Sequence, residues 1–424
     1  MASILESDEW QKATEYRITD EDIARQQQLI GHDQASRTRE YVQTATEDTI
    51  RNFAHGVGND NPLHCDPDYA RGTRWGGIIA PGMMAGIINA PMRGDPTPDH
   101  IRALKKSLFR GIHVFVSGSK WDWYHPVRPG DTLYSFEGWE SCDVKQSEFA
   151  GRSVINVLRH VKVNQRSEVV AIYRVLTVLT ERGTAKKKGK YAAIEPATYT
   201  DEDIAKVDAI YEAEEVRGAT PRDYADVTVG DSLGTMAKGP LTVTDVICFH
   251  AAGYGFTPYA PSVGRLAYKN RKRIAPFYIK NEYGVPDVAQ RLHWDPVWAQ
   301  AIGNPMAYDY GVMRENYLHH YLTDWAGDDG VVLHVHDEIR KFNYMGDVQT
   351  ITGEVTGKRE EGGQSIVDVA VRFTNQRGEE TVKATATIAL PSAGRPVLYP
   401  AVPPEIAARA VAMMARHWEL GRGK

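Results

Sequence analysis

A diverged internal repeat constrains this chain more than any other feature of its sequence. Five short motifs occur twice, in the same order. They are TDEDIA at 19–24 and 200–205, a helical pattern at 46–53 and 243–249, His-x-Asp-Pro at 64–67 and 293–296, Gly-Asp at 130–131 and 346–347, and Asn-Gln-Arg-x-Glu at 164–168 and 375–379. Because chance rarely keeps five matches in order, the repeat predicts a tandem duplication of one fold.

The repeat also sets the predicted domain boundaries. Residues 1–185 and 200–395 are each expected to form one domain, the lysine-rich segment 186–199 to link them, and residues 396–424 to form a tail helix. In each copy a helical pattern precedes the His motif, a long apolar segment follows it, and β-branched runs near the end predict strands. One apolar helix against antiparallel strands indicates an α+β layer arrangement.

Composition and charge exclude several classes of function. The 424 residues carry 50 basic and 55 acidic side chains, so we expect no nucleic acid partner. The three cysteines cannot all pair and none lies in a CxxC motif, which favours free thiols and a cytoplasmic protein. The uncharged segment 75–92 approaches the length of a membrane span. Its glycines and two prolines argue against a membrane span, so we expect a helix buried inside a domain and no membrane association.

The two His motifs share a longer spacing. Residues 59–64 read Asn-Asp-Asn-Pro-Leu-His, and Gly82 follows His64 by 18 residues, as Gly311 follows His293. This pattern resembles the signature of MaoC-like (R)-specific enoyl-thioester hydratases. The resemblance implies a double hot dog, in which each antiparallel sheet wraps round a central helix. It also implies a hydro-lyase of lipid, steroid or aromatic acid metabolism, without a metal or redox cofactor, and with coenzyme A present only as part of the acyl-CoA substrate.

The resemblance also implies roles for individual residues. Hydration of an enoyl thioester needs a base for the water, an acid for C2 and a donor for the enolate oxygen. Asn59 occupies the position of the family's Asp, which leaves Asp60 and, in the second copy, Asp287 as substitutes. The catalytic candidates are therefore His64, Asn59, Asp60, His293 and Asp287, and the candidate thioester-oxygen donors are the backbone N–H groups of Gly82 and Gly311.

An insertion in the second copy, at 254–292, is rich in aromatic and basic residues. One interpretation is a long loop that packs on the surface. The other is a substrate-binding segment, in which the rings line a wide apolar pocket and the bases meet the phosphates of coenzyme A. It predicts a bulky acyl group and assigns substrate binding to Tyr254, Phe256, Tyr259, Lys269, Arg271 and Arg273.

Other functions stay open at this point. The missing Asp also fits a non-catalytic acyl-CoA-binding subunit that pairs with a catalytic chain, and acyl-CoA thioesterases share the fold. A homodimer or a hetero-oligomer with another hot-dog chain is expected. The direction of the reaction and the identity of the catalytic half do not follow from the sequence.

Overall fold

The computed structural model describes residues 16–147, 151–181, 194–254, 262–301 and 304–422. Ten of the strands in these ranges form one antiparallel sheet, in the order β1-β3-β4-β5-β2-β9-β12-β11-β10-β6, and β7 pairs with β8 apart from it. The strands are β1 Gln34–Ala35, β2 His113–Trp123, β3 Leu133–Ser147, β4 Gly151–Asn164, β5 Val169–Thr180, β6 Ser232–Lys238, β7 Tyr278–Lys280, β8 Pro286–Val288, β9 Val331–Ile339, β10 Gln349–Glu361, β11 Gln364–Asn375 and β12 Glu380–Leu390.

Helices precede and follow the strands in each copy. The helices are α1 Asp20–Gln28, α2 Glu47–Gly56, α3 Pro62–Cys65, α4 Pro67–Arg71, α5 Asp99–Lys105, α6 Asp201–Ala213, α7 Val243–Ala251, α8 Gly264–Arg273, α9 Pro296–Ala301, α10 Gly311–Ala326 and α11 Pro404–Arg422, with 3₁₀ turns at Gly82–Gly86, Tyr224–Asp226, Ala275–Phe277 and Ala289–His293. The two TDEDIA motifs begin α1 and α6, capped by Thr19 and Thr200 as their sequence predicts. No helix in the described ranges is long and apolar enough to cross a membrane.

The two copies join through one pair of strands. The first copy supplies β1 to β5, the second supplies β6 and β9 to β12, and β2 pairs with β9 at the junction. Gly118 of β2 is required there, because a Cβ at this position would lie 2.1 Å from the Asp337 carbonyl oxygen and its φ is +148°.

The repeated Gly-Asp and Asn-Gln-Arg-x-Glu motifs form the same clamp in both copies. Arg166 Nη1 lies 2.9 Å from Asp131 Oδ1 in the first, and Arg377 Nη2 lies 2.6 Å from Asp347 Oδ2 in the second. Both carboxylates are buried. Since each clamp ties a β-hairpin to a turn before a neighbouring strand, these repeats are architectural and not catalytic.

The apolar segment of the first copy is not the predicted helix. Residues 75–92 are largely buried, as expected, but they contain only the 3₁₀ turn Gly82–Gly86, whereas the second copy forms the 16-residue α10. Glycines and prolines disfavour a continuous helix here. A Cβ at Gly86 would lie 3.1 Å from the Trp121 ring, so the segment lies close against aromatic side chains of the first-copy sheet.

The predicted tail helix is present as α11, and it packs on the first copy. Met414 and Ala410 are fully buried in a cluster with Phe136 and Val161. His417 Nδ1 accepts a hydrogen bond of 2.8 Å from the Arg93 backbone N–H. The predicted linker falls partly on residues 182–193, which lie outside the described residues.

Candidate active site

Asparagine side chains shape the loop that carries His64. Asn61 is the N-cap of α3, and its Oδ1 accepts from the Leu63 N–H at 3.0 Å, with Pro62 as the first helical residue. Asn59 Oδ1 accepts from the Asn61 N–H at 3.0 Å. Asn59 is therefore buried in the loop as a turn-forming residue, and Asp60 beside it is exposed.

The His64 ring has a defined tautomer. Its Nδ1 lies 2.8 Å from the Ile79 carbonyl oxygen, which can only accept, so Nδ1 carries the proton and Nε2 the lone pair. Nε2 is buried and has no hydrogen-bond partner among the described residues. Burial lowers the pKa of His64 to about 4, although the Ile79 carbonyl and Asp324 raise it. The ring is thus neutral at pH 7, with a free basic nitrogen.

His64 lines a cavity of about 60 Å³ built from both copies. Its other lining residues include Asn61, Trp75, Gly82, Trp123, His319, Thr323 and Tyr399. The missing side chain of Gly82 is essential to this arrangement, because a Cβ would lie 2.6 Å from His319 Nε2 and 2.9 Å from Trp123 Nε1. The Trp123 indole N–H donates to the Gly82 carbonyl at 3.0 Å.

Helix α10 of the second copy places polar side chains beside the first-copy loop. Asn61 Nδ2 donates to Asp324 Oδ1 at 3.0 Å. His320 Nε2 lies 2.9 Å from Asp324 Oδ2, and His319 contacts Trp123 with a ring-centroid separation of 5.0 Å. Burial lowers the pKa of His319 to about 3, and the neighbouring His64 and His320 lower it further. The site is therefore composite, with the loop from one copy and the helix from the other.

His293 is held like His64 but in different surroundings. Its Nδ1 lies 2.8 Å from the Tyr308 carbonyl oxygen, again 15 residues along the chain. Its ring lies on Tyr310 at 3.7 Å, and His250 Nε2 lies 3.0 Å from the Tyr310 hydroxyl. Burial lowers the pKa of His293 to about 4. Gly311 begins α10, as the spacing predicts.

Asp287 interacts with its own segment. Its Oδ1 accepts from the Val288 N–H at 2.7 Å and its Oδ2 lies 3.6 Å from Arg291 Nη1. The contacts of this carboxylate therefore do not bring it to His293.

The insertion contributes partly buried aromatic side chains and a largely exposed basic helix. Tyr254 stacks on Phe249 with ring centroids 4.3 Å apart. Lys269 and Arg273 are exposed on α8, and Arg271 lies 5.6 Å from the Tyr268 ring centroid. Two further predicted substrate-binding residues, Phe256 and Tyr259, lie outside the described residues.

Comparison with known proteins identifies the family. The model of the FAS1-like dehydratase domain region matches residues 28–173. A UPF0336 protein of Streptomyces avermitilis is 30% identical over 135 residues, which are 32% of this chain and 84% of that protein. The chain belongs to the MaoC-like hot-dog family.

One solved structure of a MaoC-like protein shows the fold. One MaoC-like dehydratase superposes with a TM-score of 0.56 at 17% identity, over 86% of this chain and 99% of its own. A conserved hypothetical protein from Mycobacterium tuberculosis with a double hot-dog fold is 12% identical, with a TM-score of 0.46 over 84% of this chain and 96% of its own. This MaoC-like chain is a double hot dog of the α+β class, as the family resemblance of its sequence implies.

The sequence did not identify the α10 residues as part of this MaoC-like site. His319 and His320 read as ordinary helix residues, and Asp324 was not a candidate. A usable signal existed, because His320 and Asp324 are four residues apart in a segment predicted to be a buried helix. Polar pairs at that spacing inside a buried helix need partners, and here the partner is the His64 loop.

Proposed function

We propose that this protein is a hydro-lyase that adds water to, or removes it from, the 2,3 double bond of an enoyl thioester at His64. One observation carries the proposal: His64 presents a buried, unpartnered Nε2 lone pair beside Gly82, at the spacing of the MaoC-like signature. A neutral imidazole with a fixed tautomer is suited to accept a proton from water.

In this mechanism His64 moves one proton. Nε2 takes it from a water molecule as the water oxygen bonds to C3. The electron pair of the double bond moves toward C2 and the thioester carbonyl, whose oxygen gains enolate charge. The backbone N–H of Gly82, the donor that the family resemblance implies, would stabilise that oxygen. His64 then gives the proton to C2, so that H and OH have been added, and the reverse sequence is dehydration.

Coenzyme A as carrier and a bulky acyl group belong to this proposal. The acyl group of such a substrate would enter the cavity beside His64. Trp75, Trp123 and Tyr399 would then provide apolar surface for an acyl group. Pairing with a second hot-dog chain is proposed on family resemblance alone.

The test compares two histidines with the same local geometry. Wild type, His64→Ala and His293→Ala are assayed with short, long and polycyclic enoyl-CoAs, following enone absorbance and free thiol separately. We expect His64→Ala to lower kcat by about 10²–10⁴-fold, the usual size for a lost acid–base group, and His293→Ala to retain most activity.

The alternatives give different results in the same assay. Thiol release without enone loss would identify a thioesterase. Neither signal with any substrate, together with measurable acyl-CoA binding, would identify a binding subunit. Full activity in His64→Ala would place the chemistry elsewhere. A preference for crotonyl-CoA across the panel would end the proposal of a bulky acyl group.

A further inference from the structure

The second copy holds the His64 loop at two points. Asn61 Nδ2 donates to Asp324 Oδ1 of α10 at 3.0 Å, and both side chains are buried. Three residues earlier in the loop, the Gly58 carbonyl oxygen accepts from Lys238 Nζ of β6 at 3.0 Å. Because Asn61 caps the helical turn that contains His64, both contacts restrain the position of the His64 ring.

The two points are connected through His320. Lys238 Nζ lies 3.1 Å from His320 Nδ1, and His320 Nε2 lies 2.9 Å from Asp324 Oδ2. An ammonium group only donates, so His320 Nδ1 accepts from Lys238. His320 Nε2 lies beside the Asp324 carboxylate without making a hydrogen bond to it. Lys238, His320 and Asp324, called here the relay, therefore form one continuous polar group beside the His64 loop.

We propose that the relay positions His64 for the reaction, with Asp324 as the carboxylate that holds the loop through Asn61. The inference rests on the proposed function of His64. Asp324 acts through Asn61 and is a positioning residue, whereas the family's Asp lies in the loop itself. Misplacement of a catalytic group by ~1 Å costs about 10²-fold in rate, so a restraint on this loop has a measurable effect.

The first test removes the charge of Asp324 and keeps its volume. In Asp324→Asn, the amide oxygen can still accept from Asn61, but the negative charge beside the His320 ring and Lys238 is lost. We expect kcat to fall by about 10- to 10²-fold with little change in KM, because the restraint acts on His64 and not on substrate binding.

A second variant tests whether Lys238 and Asp324 act on the loop as one group. Lys238→Met removes the donor to the Gly58 carbonyl oxygen and to His320 Nδ1. We expect Lys238→Met also to lower kcat, and Asp324→Asn/Lys238→Met to lose clearly less than the product of the two single losses, because the relay acts as one unit. Full kcat in Asp324→Asn, or a double variant whose loss equals the product of the single losses, would overturn the proposal.

Asp347→Asn is the matched control for a lost buried carboxylate. Asp347 is fully buried and paired with Arg377 in the architectural clamp of the second copy. We expect this variant to lower the melting temperature without lowering kcat. A similar loss of kcat in this control would show that the Asp324→Asn effect is general destabilisation, and would count against the relay.

A stability cycle separates failure of the relay from failure of the proposed function. Melting temperatures of Asn61→Ala, Asp324→Ala and the double variant need no substrate. We expect the double variant to lose clearly less than the sum of the single losses, because both remove the same contact. If the wild type hydrates no enoyl-CoA, the proposed function fails. Non-additive losses of melting temperature would still show that Asp324 stabilises the loop through Asn61. Additive losses would overturn it.

Discussion

At the scale of single residues, Gly82 is a position where the site has no room for a side chain. Its missing Cβ allows His319 and the Trp123 indole to approach the backbone, and a methyl group there would lie within 3 Å of both side chains. We expect Gly82→Ala to lower kcat by about 10²-fold, the size of effect seen for a ~1 Å displacement of catalytic geometry. Steady-state kinetics on the preferred enoyl-CoA checks this.

Gly311→Ala is the control from the same position of the other copy. A Cβ there would lie 2.7 Å from Ile339 Cδ1, the flexible end of a side chain that can turn away. We expect this variant to keep most of its activity. Equal losses in the two variants would mean that Gly82 has no special role at the site.

At the scale of elements, α10 meets β9 and β2 at a buried pair of carboxyl groups. Burial, and next Asp337, raise the pKa of Glu315 to about 8. Burial raises the pKa of Asp337 itself, whose Oδ1 accepts from the Ser119 N–H at 3.2 Å. Because two adjacent buried carboxylates repel, the pair keeps a proton at neutral pH.

This pair predicts that Glu315→Gln stabilises the folded protein, and that the gain in stability grows with pH. Between about pH 4.5 and 8 the folded protein binds this proton while the unfolded chain releases it, so the pair lowers stability progressively as pH rises, by at most ~1.4 kcal/mol per pH unit. We expect Glu315→Gln to melt at a higher temperature than wild type at pH 8, and to gain much less at pH 5.

Glu338→Gln, next to Asp337 on β9, is the control for this prediction. The Glu338 carboxylate is partly exposed and pairs with Arg340, so its removal should produce no gain that grows with pH. If the melting temperatures of Glu315→Gln and wild type differed equally at pH 5 and pH 8, the two carboxyl groups would not share a proton.

At the scale of the whole molecule, α11 connects the end of the second copy to the first. Met414 is fully buried against the first-copy cluster, while Val411 on the same helix is 55% exposed. We expect Met414→Ala to lower the free energy of unfolding by about 2–5 kcal/mol, as large-to-small core substitutions do, and Val411→Ala by less than ~1 kcal/mol. Urea unfolding measures both, and equal small losses would mean that α11 is only loosely attached.

Local features of this protein follow from its amino-acid sequence alone. Repeats, caps and β-branched runs predicted the helices and strands, since each depends on residues near in sequence. The 18-residue spacing predicted the equivalent loops of His64 and His293, and with them the helix start at Gly311. Burial of residues 75–92 was also predicted, but the predicted helix was wrong, because glycines and prolines disfavour a helix and the segment packs against Trp121 instead.

Which side chains meet at His64 depends instead on how the chain folds in three dimensions. Asn61 and Asp324 are 263 residues apart, and no periodicity relates them. Asp60, adjacent to the expected position, is exposed, and Asn59 is occupied by its own turn. The carboxylate beside the loop comes from α10 because the sheet pairs β2 with β9 and brings the second copy's helix against the first copy's loop. Local patterns predict elements, but the contact between two such elements depends on how the copies join.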